Sequence, residues 1–398
     1  MTTTAIFFPQ GSDDNNPYQK ELANGLKGGG VFVQGMSYRK FFIRDVLRYE
    51  KPVVLHLHWL HSFLVRTTIA KSLMGSAIFV TQLTLLKLAG VKIVWTVHNL
   101  KNHDNQHLKL ERFFTSVVAR LCNSIIVHGD SVKGEVAEAL RLKNTDKLHT
   151  VPHGNYIGCY PNERSRESAR AQLSLTSHPT FLFLGLIRPY KGVIELMDAF
   201  SAIAHSPEAY ESEKYSIGRH QSGKHQSEEH QSKEYLANTG TKVNVTKTLS
   251  SKAKLLIVGR IWSEDIEFQN QVLTKVEETP NVTLISEFIP DEELQLYFNA
   301  CDAVVFPYKD ILTSGAVLLA MSFGKACIAP RLGCIQDTLD DEGSFLYEAG
   351  DPKGLIDSLK QAVEVKADLT KKGEHNLKLA KQFHWKHIGE LTAVVYKF

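Results

Sequence analysis

Residues 180–200 read TFLFLGLIRPYKGVIELMDAF. An apolar run leads to Gly185, a short turn carries Arg188 and Lys191, and Gly192 opens VIELMDAF, whose apolar residues recur at helical spacing. Strand, turn and helix in that order form the repeating unit of a parallel α/β sheet. The unit recurs in both directions. Toward the N-terminus, strands are expected at AIFFP near 5, GVFVQ at 30, VVLHLHW at 53, KIVWTVH at 92, SIIVHG at 124 and KLHTVPHG at 147. Toward the C-terminus the set is TFLFLGLI at 180, KLLIVGRI at 254, NVTLISEF at 281, AVVFPY at 303, KACIAP at 325 and GSFLYE at 343. Helical spacing lies between them, near 108–121, 131–141, 191–204, 291–300, 314–323 and 353–365. Two successive sets imply two doubly wound sheets facing across a cleft, with the seam in the polar, turn-rich 156–178.

Length agrees with two domains: 398 residues exceed the about 250–300 at which one core stops growing. The formal net charge of +3 argues against a dedicated nucleic-acid binder. Its distribution is uneven. Residues 1–170 hold 22 Lys and Arg against 13 Asp and Glu, a difference of +9, leaving −6 for the remainder. A basic first half suits an anionic lipid surface or a pyrophosphate-bearing substrate, or is simply an uneven solvated surface. Five scattered Cys without a C-x-x-C pair indicate neither a zinc knuckle nor a disulfide framework. The start MTTTAIFFPQG lacks the features of a signal peptide, so a cytoplasmic, soluble or peripheral protein is expected, and the sequons at Asn244 and Asn281 are chance matches. Residues 205–250 repeat His-Gln-Ser at 220, 225 and 230 in a polar, low-complexity stretch. Such a composition reads as a mobile insertion rather than a metal site.

Strand ends carry the candidate chemistry. In FLGLIRPYKG, Arg188 and Lys191 beside a helix start make an anion site suited to a diphosphate, or else a helix start with solvated charges. In FPYKDILTSGAVLLAMSFGKACIAP, Thr313, Ser314 and Gly315 precede a helix whose amides can meet a phosphate, or whose first turn the hydroxyls merely cap. Two such sites in one domain suggest a nucleotide diphosphate. In the first half, VVLHLHWLH sets His56 and His58 on one strand face, followed by Trp59 and His61. No Cys or carboxylate completes a zinc shell there, and stacking or hydrogen bonding to a sugar or pyrophosphate is the preferred role. WTVHNLKNHD offers His98, Asn99, His103 and Asp104, and VPHGNY offers His153, Gly154 and Asn155. The stretches 36–49 and 108–121 mix aromatic and basic residues at helical spacing, a face able to rest on a membrane or an ordinary core-facing helix.

These residues together resemble the nucleotide-sugar-dependent glycosyltransferases of the two-Rossmann-domain (GT-B) architecture, group 1 (GT4-like), of bacterial exopolysaccharide assembly. The resemblance rests on HLHW, TVHN, FLGLIRPYKG, LLIVGR, the run ELQLYFNACDAVVFPY with SGAVLLAMSFGKACIAP, and the ending FHWKHIGELTAVVY. It implies an acceptor-binding domain over 1–165, a nucleotide-sugar-binding domain over 166–375 interrupted at about 205–250, and a helix over 376–398 returning to the first domain. It further implies a hexosyltransferase that moves glucose or mannose from a UDP- or GDP-sugar to a hydroxyl of a lipid-linked or polysaccharide acceptor. No metal or other cofactor is implied; the basic first half leaves open a peripheral contact with the inner face of the cytoplasmic membrane. Donor-binding residues would be Gly185, Arg188, Lys191, Gly259, Arg260, Phe288, Asp310, Thr313, Ser314 and Gly315. Acceptor binding would fall to His56, His58, Trp59, His61 and, from NPYQKEL, Asn16. His98 matches the family's histidine beneath the donor sugar. With Arg188, Lys191 and Asp104 it completes the catalytic set, and Asp104, His98 or Asp13 would supply a base if configuration inverts. The sequence departs from the family where two Glu eight positions apart are usual: Ile311 and Leu319 stand there, with Asp310 one residue off. A nucleotide-sugar epimerase and a non-enzymatic sugar-binding protein are the rival readings of this architecture.

Overall fold

The computed structural model describes residues 2–10, 16–102, 106–204, 253–262 and 265–398. The insertion at 205–250 with its three His-Gln-Ser repeats lies outside the described residues, as do Asp13, His103 and Asp104.

All twelve expected strands form, in two six-stranded sheets whose pairings are all parallel. The first contains β1 (Thr3–Phe8), β2 (Val31–Gly35), β3 (Val53–Leu57), β4 (Lys92–Thr96), β5 (Ser124–Val127) and β6 (Leu148–Thr150), in the order β2-β1-β3-β4-β5-β6. The second contains β7 (Thr180–Leu184), β8 (Lys254–Val258), β9 (Val282–Ile285), β10 (Ala303–Val305), β11 (Ala326–Arg331) and β12 (Ser344–Glu348), in the order β12-β11-β10-β7-β8-β9. Helices cover both faces, so the inner strands are buried along almost their whole length and read as apolar runs rather than alternations.

Helices of the first half are α1 (Tyr18–Gly28), α2 (Ile43–Leu47), α3 (His61–Leu64), α4 (Ile69–Leu88), α5 (Leu108–Leu121) and α6 (Lys133–Ala139). Those of the second are α7 (Arg166–Gln172), α8 (Val193–Ala204), α9 (Ile266–Glu278), α10 (Leu294–Ala300), α11 (Gly315–Ser322), α12 (Ile335–Thr338), α13 (Pro352–Glu364), α14 (Leu369–Ala380) and α15 (Trp385–Val395). The polar stretch 156–178 is not all turn. It includes α7, which packs on α10 and is tied to the second sheet by Arg166 and Arg170 reaching Asp302. Helix α15 returns to the first sheet and crosses α1 at two glycines. A Cβ on Gly25 would fall 2.1 Å from the Trp385 carbonyl oxygen, and one on Gly389 would fall 2.2 Å from the Gly25 carbonyl carbon. Neither backbone can approach the other with a side chain in between.

The chain therefore crosses between the two halves twice, and the crossings are bonded to each other. Asn155 N donates to the Phe383 carbonyl (2.8 Å), Asn155 Nδ2 donates to the Ala380 carbonyl (2.7 Å), and Trp385 Nε1 donates to the Asn155 carbonyl (2.6 Å).

Candidate functional site

In a doubly wound sheet the ligand crevice opens where strand order reverses, outside the carboxyl ends of the strands. In the second sheet that point lies between β7 and β10. The turn after β7 therefore meets the loop after β10. Lys191 Nζ donates to the Tyr308 hydroxyl (3.2 Å) and lies 4.4 Å from the centre of that ring. Ser314 Oγ donates to the same hydroxyl (3.4 Å). Tyr308 thus ties the cation of one segment to the hydroxyls that precede α11. Burial pulls the Lys191 pKa down while the hydroxyls of Tyr308 and Tyr190 pull it up; the net shift is upward, so the ammonium stays charged.

Helix α11 begins at Gly315. A Cβ there would come within 2.9 Å of the Tyr156 hydroxyl and 3.6 Å of His153 Nε2, so glycine keeps the helix start open toward the first domain. Its free amides and positive dipole end face an interdomain cavity of about 870 Å³. On the second-domain side the wall is made by Tyr190, Lys191 and 310–316. On the first-domain side it is made by Asn16, Trp59, 98–102, α5 and α6. Lys101 of one half is ion-paired with Asp310 of the other across the opening. Glu135 on α6 also faces it. Burial and then the Asp310 carboxylate raise the Glu135 pKa, with Lys101 opposing.

Beneath the first-domain wall lies a cluster of five histidines, His56, His58, His98, His128 and His153, packed around Tyr18, which sits 4.8–5.9 Å from four of them ring to ring. His98, on the loop after β4, lines the cavity, with the Trp59 ring stacked on it at 4.7 Å and 17°. Burial is the main reason every member is hard to protonate, and the neighbouring imidazoles add to it for all but His128. His56 and His153 are pushed to about 3 and His128 to about 4, while His58 and His98 lie well below the ordinary histidine value. At neutral pH the cluster is uncharged.

Several expected site residues thus converge: Lys191, Asp310, Thr313, Ser314 and Gly315 face His98, Trp59 and Asn16 across one cavity. Others are placed elsewhere. His56 is wholly buried, Nδ1 bonded to the Tyr396 hydroxyl and Nε2 to Thr96 Oγ1, both at 2.7 Å, so it has no nitrogen to offer an acceptor. His58 is only 1% exposed and bonds His98, which removes it from the acceptor wall as well. Strand alternation puts both on the face with Val54, and α1 and α15 cover that face. His61 begins α3 and does not line the cavity. Arg188 also lies outside the lining, its guanidinium 5.8 Å from the Trp262 ring, where Arg260 sits at 5.2 Å. Phe288 is exposed and apart from the cavity. Gly185 and Gly259 have a packing role. Their φ values are +143° and +135°, and a Cβ on Gly259 would fall 2.1 Å from the Gly185 oxygen, so the glycines let the ends of β7 and β8 touch. Tyr308, Tyr156, Lys101 and Glu135 were not among the expected site residues, because each acts through a partner in a distant segment.

Comparison with known proteins fits this geometry. A family model for glycosyl transferases, group 1, matches residues 223–364. A GDP-mannose:glycolipid 4-beta-D-mannosyltransferase from Xanthomonas campestris pv. campestris is 25% identical over 404 residues, an alignment spanning 99% of this chain and 91% of the relative. The family model, the relative and the two-sheet fold together support a group 1 glycosyltransferase of GT-B architecture. The fold is also that of Anabaena HepE, solved with UDP-glucose (TM-score 0.68, 11% identity, all of both chains covered). An E. coli trehalose-6-phosphate structure bound with UDP-2-fluoro glucose superposes with a TM-score of 0.69 at 7% identity, covering 100% of this chain and 99% of that one. At such identities the two structures speak for the fold alone.

Proposed function

We propose that the enzyme transfers a mannosyl group from GDP-mannose to a hydroxyl of a lipid-linked glycan. The observation that carries the transferase chemistry is the meeting of Lys191 and the α11 amides with the His98 and Trp59 wall across one cavity. As the nucleotide diphosphate departs, negative charge grows on its oxygens and the anomeric carbon becomes oxocarbenium-like. A fixed ammonium and oriented amides stabilise that charge without reorganising, an effect for which a single donor is worth about 10²–10³ in rate. They can do so without a divalent ion, and activity is expected to persist in EDTA. The choice of GDP-mannose over UDP-glucose follows the relative aligned with nearly the whole chain.

A β-linked product from an α-linked donor requires inversion, hence a base near the acceptor hydroxyl. Four described carboxylates line the cavity, Glu111, Glu135, Glu138 and Asp310; Glu111 accepts two hydrogen bonds from Asn102 (2.7 and 3.1 Å), Asp310 is paired with Lys101, and of the two on α6 it is Glu135 that feels the Asp310 and Lys101 charges. Glu135, its pKa raised, is our candidate.

The lipid-linked acceptor is consistent with a basic, apolar surface on the first domain. Tyr38, Phe41, Leu47, Ile69, Leu73 and Met74 are exposed, and residues 36–74 hold seven Lys and Arg against two Asp and Glu. Helix α4 is long and apolar enough to cross a membrane by length and composition, with 33% of its apolar window buried in the protein. We read this face as resting on an anionic bilayer at the cytoplasmic side. The test is mannose transfer from radiolabelled GDP-mannose to a polyprenyl-diphosphate oligosaccharide, run beside UDP-glucose and beside a reaction without acceptor. Transfer only from GDP-mannose supports the reading. Donor turnover that ignores the acceptor would favour an epimerase instead.

A further inference from the structure

The histidine cluster contains two buried ring nitrogens with no partner among the described residues, His58 Nε2 and His128 Nε2. At His128 the reason is plain. Its Nδ1 lies 2.9 Å from the Val151 carbonyl, which can only accept, so Nδ1 carries the proton and Nε2 is a bare lone pair. His153 is set the same way by the Gly154 carbonyl at 2.7 Å.

His58 Nδ1 and His98 Nε2 lie 3.3 Å apart with their rings 23° from parallel. Both rings are neutral, so a single proton lies between them, and its position sets both tautomers. If His98 donated, His58 would have to carry its own proton on Nε2, leaving an orphaned N–H in the core. If His58 donates, its Nε2 is a bare lone pair, the state already adopted by His128, whose ring lies 5.4 Å from that of His98. Buried orphan donors are rarer than orphan acceptors, and the second arrangement prevails. Trp95 Nε1 donates to the His58 carbonyl (3.2 Å), which holds the donor in place.

We propose that His58 is a positioning residue that fixes His98 as its Nδ1–H tautomer, so that His98 offers an N–H donor, not a basic nitrogen, to a ligand oxygen in the interdomain cavity. His98 Nε2 is already occupied, and Nδ1 has no hydrogen-bond partner among the described residues. The inference rests on the reading of that cavity as the sugar site. It removes His98 from the possible bases and assigns it an acceptor oxygen of the transferred sugar or of the leaving diphosphate.

Two measurements test it. Long-range proton–nitrogen NMR on the full chain with ¹⁵N-labelled histidine, assigned with H58N and H98Q, is expected to show His98 Nδ1 protonated and Nε2 unprotonated at pH 7.5. The reverse pattern, or an average of the two tautomers, overturns the proposal. In parallel, His58→Phe keeps the volume but removes the donor, whereas His58→Asn keeps an N–H near the Nδ1 position. H58F is expected to lower kcat about 10–100-fold with donor KM changed less than about threefold, and H58N to restore most of that loss. Equal losses in both, with folding verified by thermal melts, would reduce His58 to packing and sink the idea. Because the NMR arm needs no substrate, a failure of mannosyl transfer would count against the proposed function and not against the tautomer.

Discussion

Lys191 is the residue on which the donor site turns. Its ammonium is held between two tyrosine rings and bonded to one hydroxyl, so it is oriented before any ligand arrives. A charge-assisted hydrogen bond to a phosphate is worth about 1.5–3 kcal/mol. Lys191→Ala is therefore expected to raise the Kd for GDP about 10–150-fold, read by calorimetry. An unchanged Kd would place the diphosphate elsewhere. Glu135→Gln should behave in the opposite sense: GDP affinity preserved, kcat lowered by about 10²–10⁴, measured in the transfer assay. Retention of kcat would rule Glu135 out as the base and pass the role to another carboxylate, Glu138 being the next on the same helix. The turn that holds Lys191 and the glycine that opens α11 were legible in the sequence, since each stands beside a strand end. The burial of His56 and His58 was not. Sequence position shows that two residues share a strand face, but the cover on that face comes from Tyr396, 340 residues from His56.

At the scale of elements, the twelve strands were readable because parallel strands covered on both faces are short apolar runs between turns. The meeting of α1 and α15 was readable only as an expectation that the last helix returns. The crossing itself depends on Gly25 and Gly389, whose closeness no local pattern announces. Substituting Gly389 by Ala forces a methyl into the α1 backbone. A destabilisation of at least about 1–3 kcal/mol is expected from overpacking, seen as a lower melting temperature; an unchanged melt would show that the helices can slide apart freely. The exposed face of α2 and α4 makes a separate prediction. F41D together with L73D should abolish cosedimentation with anionic vesicles while leaving the melt within about 1 kcal/mol of the parent, as expected for exposed sites. Equal binding to zwitterionic vesicles by the parent would remove the electrostatic part of the argument.

For the molecule as a whole, five neutral histidines inside one domain link stability to pH. Their folded pKa values are depressed, so between the unfolded value near 6.5 and the folded values the unfolded chain binds protons that the native state refuses. Stability is full above about pH 6.5 and falls as pH drops. At pH 5 each such histidine costs about 2 kcal/mol relative to neutral pH. The unfolding midpoint should decline steeply from pH 7 to 5, and a flat profile over that range would contradict the burial of the cluster.

The paired backbone passages around Asn155 and 380–385 also decide how the cleft can open. One flexible tether would allow its halves to swing and twist freely; two, stitched together by three hydrogen bonds, behave as the spine of a book. Opening must then bend both passages together, and the Lys101–Asp310 pair spans the side of the cleft that such bending widens.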